Sequence, residues 1–217
     1  MESAPGKVAE AAEPPGVVYI VDDDQELCTS VAWLLESVGV ESRCFTSAQG
    51  FLDGYDADRP ACMVLDVRMP GLGGFGLQEY LSSVGSAIPI VFVSGHGDIR
   101  MSVRALQNGA LDFLPKPYDP QQLIEVVSGA LRTAHERFER SARVRELEER
   151  LARLTQRELE IMRLVITGTP SKKIASELGI SVKTVDVHRA RVRDKTDSES
   201  LAKLVHDVLS LGVRLPD

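Results

Sequence analysis

The chain has 217 residues, of which 43% are hydrophobic and 26% are charged, so it can bury a core and is not a disordered protein. Its formal net charge of −7 taken alone argues against a nucleic-acid binder. The charge is uneven, however, because residues 1–131 carry 7 basic and 18 acidic side chains, whereas residues 132–154 and 155–217 each carry a net charge of +2. This asymmetry predicts an acidic module joined to a module with a small basic face.

The cysteines and the N-terminal residues indicate where in the cell the protein is located. The three cysteines, Cys28, Cys44 and Cys62, are odd in number and their spacings fit no zinc motif, so we expect free thiols in a reducing cytosol. Residues 1–16 are rich in Ala, Pro and Glu, which predicts a flexible tail without a signal core. The apolar run 17–21 is too short to span a bilayer. We therefore expect a cytoplasmic protein with no membrane partner.

Strand-like and helix-like segments alternate over residues 17–131, the first predicted domain. Short apolar runs predict five strands, at 17–21, 42–45, 62–65, 88–93 and 112–114. Helical periodicity predicts helices at 25–38, 48–54, 75–83, 99–108 and from residue 120 onward. The alternation predicts a doubly wound α/β domain, a five-stranded parallel sheet in flavodoxin-like order with helices on both faces.

A long linker helix is predicted next, because residues 132–154 contain no Gly or Pro and the helical pattern from Pro120 continues to Leu154. Val144, Leu147, Leu151 and Leu154 are spaced 3, 4 and 3 residues apart, which is a heptad seam. Two interpretations of the seam stay open: the helix packs on its own domain, or two copies of it pair across a dimer.

Residues 155–217 predict an all-helical second domain with a helix-turn-helix. Thr155 and Glu158 form a capping-box pattern that begins the first helix. The predicted helices are 156–167, 171–178, 182–195 and 198–211, separated by Gly168 and Gly179 and ended by Gly212. Ser171 and Ser181 are placed to cap the two helices of the motif.

Polar side chains follow four different predicted strands of the sheet. Asp22, Asp23 and Asp24 follow the first strand, Asp66 the third, Ser94 the fourth and Lys116 the fifth. Because ligands of doubly wound sheets sit at the carboxyl ends of strands, these groups are predicted to converge, with Asp24 as a helix N-cap. Clustered carboxylates need a cation, and hard oxygen donors favour Mg²⁺. A carboxylate there can act as the nucleophile toward a phosphoryl group.

The motifs Val21-Asp22-Asp23-Asp24, Leu65 to Gly71, Ser94-Gly95-His96 and Lys116-Pro117-Tyr118 resemble the response-regulator receiver family. The resemblance implies that Asp66 is phosphorylated by the histidine of a sensor kinase. It implies Mg²⁺ held by Asp23, Asp66 and the backbone carbonyl of Arg68, with help from Asp22. It also implies that Ser94 turns inward, that Phe113 moves with it, and that the peptide between Lys116 and Pro117 is cis. His96 is interpreted as a loop residue.

A helical projection of residues 182–195 predicts the face that reads DNA. Val182, Val185 and Val192 point inward, whereas Lys183, Val187, Ala190 and Asp194 point outward, with Asp186 and Arg191 beside them. Val and Ala suit thymine methyl groups, and Lys183, His188, Arg191 and Lys195 suit phosphates. The predicted DNA-binding residues are Lys173, Lys183, Thr184, Asp186, Val187, His188, Ala190, Arg191 and Lys195.

The segments Leu154 to Glu158, Lys173-Ile174-Ala175 and Ser181 to Arg189 resemble the LuxR/FixJ-type output domain. The whole chain thus resembles a FixJ/NarL-class transcription regulator, not an enzyme. The resemblance implies that phosphorylation produces a homodimer that binds double-stranded promoter DNA and regulates transcription, by analogy activating it through RNA polymerase. One departure is Pro170-Ser171-Lys172-Lys173, where the family commonly has Asn beside a single Lys.

Three alternative functions remain at this stage. A phosphatase that works through an aspartyl phosphate usually carries a second Asp two positions after the nucleophile, and Arg68 occupies that position here. A binder that ignores phosphorylation would not need all of Asp22, Asp23, Asp66, Ser94 and Lys116. RNA binding lacks stacking aromatics, because residues 155–217 contain no Phe, Trp or Tyr.

Overall fold

A computed structural model of the chain describes residues 16–95 and 99–216. Residues 1–15 of the predicted tail, and His96 of the predicted loop, lie outside the described residues. The chain divides into two compact units, the first ending at Phe138 and the second beginning at Glu139. Within the described ranges no helix is long and apolar enough to cross a membrane.

The first unit contains a parallel sheet of five strands, as the sequence predicted. The strands are β1 (Val17–Val21), β2 (Glu41–Phe45), β3 (Ala61–Asp66), β4 (Ile90–Ser94) and β5 (Asp112–Pro115). Their order is β2-β1-β3-β4-β5 and every pairing is parallel, which is the predicted flavodoxin-like order. β4 begins at Ile90 rather than Ile88, since Pro89 has no N–H for the ladder, although its carbonyl accepts from Met63 N at 2.9 Å.

The helices of this unit lie close to the predicted positions. They are α1 (Gln25–Glu36), α2 (Ala48–Gly54), α3 (Gly73–Ser83) and α4 (Ile99–Gln107), followed by α5 (Pro120–Leu151), which begins in this unit and ends in the second. Asp24 caps α1 as predicted, because its Oδ1 accepts from Glu26 N at 3.0 Å and Leu27 N at 3.1 Å. Both faces of the sheet are covered, with one apolar cluster around Tyr19, Phe51 and Phe92 and another around Ile20, Leu35 and Val127.

The three cysteines are free, as expected. Cys28 and Cys62 are buried and Cys44 is half-buried. Burial raises the pKa of Cys28 and of Cys62 to about 12, so these two thiols stay protonated at neutral pH.

The second unit is helical, with α6 (Gln156–Ile166), α7 (Ser171–Leu178), α8 (Val182–Lys195) and α9 (Leu201–Leu211). The capping box of Thr155 and Glu158 is present, and Ser181 caps α8. The predicted cap at Ser171 is wrong. The N-cap of α7 is Pro170, whose carbonyl accepts from Lys173 N and Ile174 N, while the Ser171 hydroxyl bonds to side chains of α8.

The leucines of the predicted seam are buried within the second unit. Leu147 and Leu151 of α5, and Leu154 after it, share one core with Leu159 of α6 and Leu204 of α9. Leu151 is completely shielded from solvent. Of the two interpretations of the seam, the structure therefore favours packing of the helix on its own domain over a surface left open for pairing.

Candidate functional site

The carboxyl ends of four strands place one side chain each at the same edge of the sheet. Asp22 directly follows β1, Asp66 ends β3, Ser94 ends β4 and Lys116 directly follows β5. Lys116 Nζ donates to Asp22 Oδ2 at 2.6 Å and to Asp66 Oδ1 at 2.7 Å. The predicted convergence of these charged groups is therefore observed, with the ammonium group bridging two carboxylates.

Both carboxylates of this ion pair are almost completely buried. Only 2% of Asp22 and 6% of Asp66 is exposed. Burial raises the pKa of Asp22 above its ordinary value, although the hydrogen bond from Lys116 partly opposes this. Burial also disfavours the charge of Lys116, but its bonds to Asp22 and Asp66 outweigh that effect and raise its pKa. Lys116 is thus held as a fixed cation beside the carboxylates.

The backbone after Asp66 fixes the orientation of that carboxylate. Arg68 N donates to Asp66 Oδ2 at 2.5 Å, so each oxygen of Asp66 accepts one hydrogen bond. Gly74, in the first turn of α3, lies so close that a Cβ there would be 2.2 Å from the carbonyl oxygen of Asp66. Gly74 therefore forms a close contact between α3 and β3 that leaves no room for a side chain.

Asp23 lies apart from the ion pair. Its side chain is exposed and makes no hydrogen bond or ion pair with another described residue. Among residues 16–95 and 99–216, no three acidic, histidine or cysteine side chains are grouped closely enough to hold a metal ion. Even so, the donors at this edge are carboxylate oxygens, which Mg²⁺ prefers, and the buried Asp22 is a carboxylate that gains from a nearby cation.

Ser94 and Phe113, the two residues expected to move on phosphorylation, lie on neighbouring strands. Ser94 is buried, and its carbonyl accepts from Lys116 N at 2.8 Å. Phe113 is half-buried and its ring centroid is 6.5 Å from that of Phe92. In the ladder Ser94 pairs with Pro115, so Phe113 lies two positions earlier on the adjacent strand. The peptide between Lys116 and Pro117 is cis, as the resemblance implied.

In the helix-turn-helix of the second unit, the face of α8 that was predicted to read DNA is exposed, and we call this face the stripe. Lys183, Asp186, Val187, Ala190 and Arg191 are exposed, whereas Val185 and Val192 are buried. The prediction that Val182 points inward is wrong, because this first residue of α8 is 42% exposed. Gly179 ends α7 with a φ of 63°, a left-handed conformation that permits the tight turn before α8. The outward face is therefore small and apolar at its centre, with charged groups around it.

Two hydrogen bonds in series, between side chains, join α7 to this stripe. They were not predicted from the sequence. Arg189 Nη1 donates to Ser171 Oγ at 3.0 Å, and Ser171 Oγ donates to Asp186 Oδ1 at 3.1 Å. The only sequence signal for them was the departure at Ser171 from the family's usual Asn. Sequence periodicity does not reveal such bonds, since they cross from one helix to another.

Three residues predicted to bind DNA, Lys195, His188 and Lys173, differ in their surroundings. Lys195 Nζ donates to the buried Glu158 at 2.7 Å, which ties α8 to α6. His188 is half-buried, and its buried Nδ1 has no hydrogen-bond partner among the described residues. Lys173 is largely exposed, 3.9 Å from Glu177. Of these three, Lys173 is the best placed to reach a phosphate.

Comparison with known families accounts for both units. Residues 18–128 match the response regulator receiver domain, and residues 152–208 match the bacterial regulatory proteins of the luxR family. The chain is a two-component response regulator. Its receiver domain contains the ion pair of Asp22, Asp66 and Lys116, and its LuxR-type output domain contains the helix-turn-helix.

Relatives of this response regulator support the same assignment over nearly its whole length. The transcriptional regulatory protein TdiR of Thauera aromatica is 42% identical over 88% of this chain and 85% of its own length. The transcriptional regulatory protein FixJ of Azorhizobium caulinodans is 41% identical over 92% of this chain and 95% of its own. The solved structure of the response regulator StyR is 41% identical, with a TM-score of 0.77 over 91% of this chain and all of that one. The protein therefore belongs among transcription regulators rather than phosphatases.

Proposed function

We propose that Asp66 is the phosphorylation site, and that its modification by a sensor histidine kinase makes this response regulator dimerise and bind promoter DNA in the cytoplasm. The observation that carries the proposal is the buried Asp66 carboxylate, held by Lys116 Nζ at 2.7 Å and by Arg68 N at 2.5 Å. A fixed cation beside a buried carboxylate suits the charge that a phosphoryl group brings.

The transfer itself needs little from the protein beyond position and charge. An Asp66 oxygen attacks the phosphorus of the kinase phosphohistidine, so a P–O bond forms while the P–N bond breaks and the imidazole leaves. Lys116 would then move its hydrogen bond from the carboxylate to a phosphoryl oxygen. Ser94, buried at the end of β4, would donate a hydrogen bond from its hydroxyl group to another phosphoryl oxygen. Phe113 would turn inward together with Ser94.

Receiver domains generally bind Mg²⁺ at the phosphorylation site. We assign that ion to Asp23, Asp66 and the backbone carbonyl of Arg68, with Asp22 alongside. Two observations support this assignment: Asp23 is exposed and makes no ion pair with another described residue, and Asp22 is buried, which raises its pKa and makes a further cation beside it favourable. When bound, the metal offsets negative charge on the phosphoryl oxygens.

The proposed output is DNA binding by two copies of the helix-turn-helix. We assign residues 17–131 to the receiver, 132–154 to the linker helix and 155–217 to the DNA-binding domain. Lys183, Thr184, Val187, Ala190 and Arg191 of α8 would face one half-site. We assign Lys173, His188 and Lys195 to phosphate contacts, with Lys195 the weakest of them because Glu158 already binds it. Dimers would regulate, by analogy activate, transcription together with RNA polymerase.

The proposal is tested on the full-length protein with and without acetyl phosphate and Mg²⁺. Oligomeric mass and affinity for promoter duplexes are measured for the wild type, Asp66→Asn and the control Asp58→Asn, an exposed aspartate of the same unit. We expect mass and affinity to rise in the wild type and the control but not in Asp66→Asn. Tight binding that neither acetyl phosphate nor Asp66→Asn changes would show that the receiver does not gate DNA binding.

A further inference from the structure

We infer that Asp186 reads one base of each DNA half-site through the exocyclic amino group of a cytosine, and that Ser171 and Arg189 position it to do so. The inference rests on the proposed DNA binding by α8. Asp186 is exposed and is the fifth residue of α8. The N-terminal residues of a recognition helix are those that meet base edges in the major groove.

The chemistry of Asp186 restricts what it can contact. An ionised carboxylate is only an acceptor, and the phosphates repel it, so its favourable partner on DNA is an amino group on a base edge. Its neighbours on the stripe differ: Lys183 is a donor, and Val187 and Ala190 have no polar group. Asp194 is the other exposed carboxylate of α8, but it lies near the C-terminal end and pairs with Arg193 at 2.7 Å.

The contacts from α7 leave one oxygen of Asp186 available. Oδ1 accepts a hydrogen bond from the Ser171 hydroxyl group, and the Ser171 oxygen in turn accepts a hydrogen bond from Arg189 Nη1. Among the described residues, no donor is bonded to Oδ2 of Asp186. These two hydrogen bonds therefore hold the Asp186 carboxylate in one orientation, and only Oδ2 is left as an acceptor toward the groove.

A single acceptor distinguishes the two bases that carry an amino group there. Cytosine presents N4 as a donor, whereas adenine presents N6 next to the acceptor N7. The carboxylate cannot donate to N7, so an adenine at this position leaves a lone pair facing a negative charge. Cytosine is for this reason the expected partner, and adenine is a distinguishable outcome of the test.

The decisive experiment is selection from a random duplex library by the full-length protein with acetyl phosphate and Mg²⁺. The wild type is expected to select a two-fold symmetric motif with cytosine preferred about tenfold over thymine at one position of each half-site. In Asp186→Asn, Ser171 still donates to Oδ1, so the free atom becomes Nδ2, which is a donor. The preference at that position should invert toward guanine or thymine, whose edges present acceptors, while the other positions stay unchanged.

Two further variants separate base reading from loss of charge or of fold. Asp194→Asn also removes one negative charge from α8 and should raise overall affinity without changing the preferred base at any position. Ser171→Ala frees Oδ1 and should weaken the cytosine preference without inverting it. A selected motif that is identical for the wild type and Asp186→Asn, or an adenine at that position in the wild-type motif, would overturn the inference while leaving DNA binding established. Failure of the wild type to select any motif would overturn the proposed function and, with it, this inference.

Discussion

Lys116 Nζ donates to Asp66 Oδ1 over 2.7 Å, so the proposed phosphorylation site already holds a cation in the absence of a phosphoryl group. The same ammonium group also bonds Asp22, which is buried. Two carboxylates that would repel each other are thereby held together at the edge of the sheet. This geometry predicts that the stability of the first unit and the proposed phosphorylation both depend on Lys116.

Replacement of Lys116 by Met tests this dependence. We expect a loss of about 1–3 kcal/mol in the free energy of unfolding at pH 7, because two buried carboxylates lose their partner. Added Mg²⁺ should restore more stability in the variant than in the wild type, since it supplies the missing positive charge. Thermal unfolding with and without Mg²⁺ measures both effects.

The matched control for Lys116 is Arg43→Met. Arg43 is 46% exposed and lies 3.6 Å from Glu41, so its loss should change stability by less than about 1 kcal/mol and without dependence on Mg²⁺. Equal stability of Lys116→Met and the wild type, in both the presence and the absence of Mg²⁺, would show that the ion pair contributes nothing.

Gly74→Ala should disturb the backbone that carries Asp66. A Cβ at Gly74 would lie 2.2 Å from the Asp66 carbonyl oxygen and 3.0 Å from Val67 Cα, so β3 and α3 must separate. We expect a loss of about 1–3 kcal/mol in unfolding free energy and slower phosphorylation by acetyl phosphate. Gly129→Ala is the control: Gly129 lies within α5, and apart from its chain neighbours and the backbone of its own helix no described atom lies within 4 Å of its Cβ position, so the substitution should stabilise by about 0.5–1 kcal/mol. Equal effects of the two substitutions would contradict the proposed contact.

Glu158→Gln should destabilise the second unit in a pH-dependent manner. Burial opposes the charge of Glu158, but hydrogen bonds from Lys195 and from Thr155 outweigh it and lower the pKa of this carboxyl group. A lowered pKa contributes stability above the ordinary value of about 4.3, and that contribution is lost as pH falls through the folded value. At pH 7 we expect a loss of about 1–3 kcal/mol in the variant.

Hydrogen exchange of α6 and α8 measures that loss region by region. The difference between the wild type and Glu158→Gln should shrink as the pH falls through the lowered pKa of Glu158, because the wild-type carboxyl group then becomes protonated. Glu160→Gln is the control, because Glu160 is 39% exposed in its pair with Arg157 and should change protection little at any pH. A difference that stays constant with pH would mean that the charge of Glu158 is unimportant.

Leu151→Ala should weaken the second unit by about 2–5 kcal/mol, because the fully buried side chain would leave a cavity between α5, α6 and α9. Since the packing lies within one chain, the loss should be the same at low and at high protein concentration. Urea unfolding at two concentrations measures this. Leu209→Ala, which changes a leucine that is 61% exposed on α9, should have an effect below about 0.5 kcal/mol. A loss found only at high concentration would instead favour a leucine seam that pairs across a dimer.

Much of the fold and half of the site followed from local patterns. The runs at 17–21 and 62–65 predicted strands because a buried parallel strand is apolar on both faces. Asp24, Thr155 and Ser181 were identified as caps because a cap bonds backbone groups only two or three residues away. Ser171 fits the same cap pattern, but its hydroxyl bonds Asp186, fifteen positions along the chain.

The sequence by itself determined the strand and helix order, the parallel sheet and which polar residues follow the strands, because periodicity and the ends of strands are local properties of the chain. Only the tertiary structure decided where side chains far apart in sequence come into contact. Lys116 and Asp22 are 94 positions apart, and Lys195 and Glu158 are 37 apart. Such contacts depend on how helices and strands pack, and so do the burial of Leu151 and the close approach of Gly74 to Asp66.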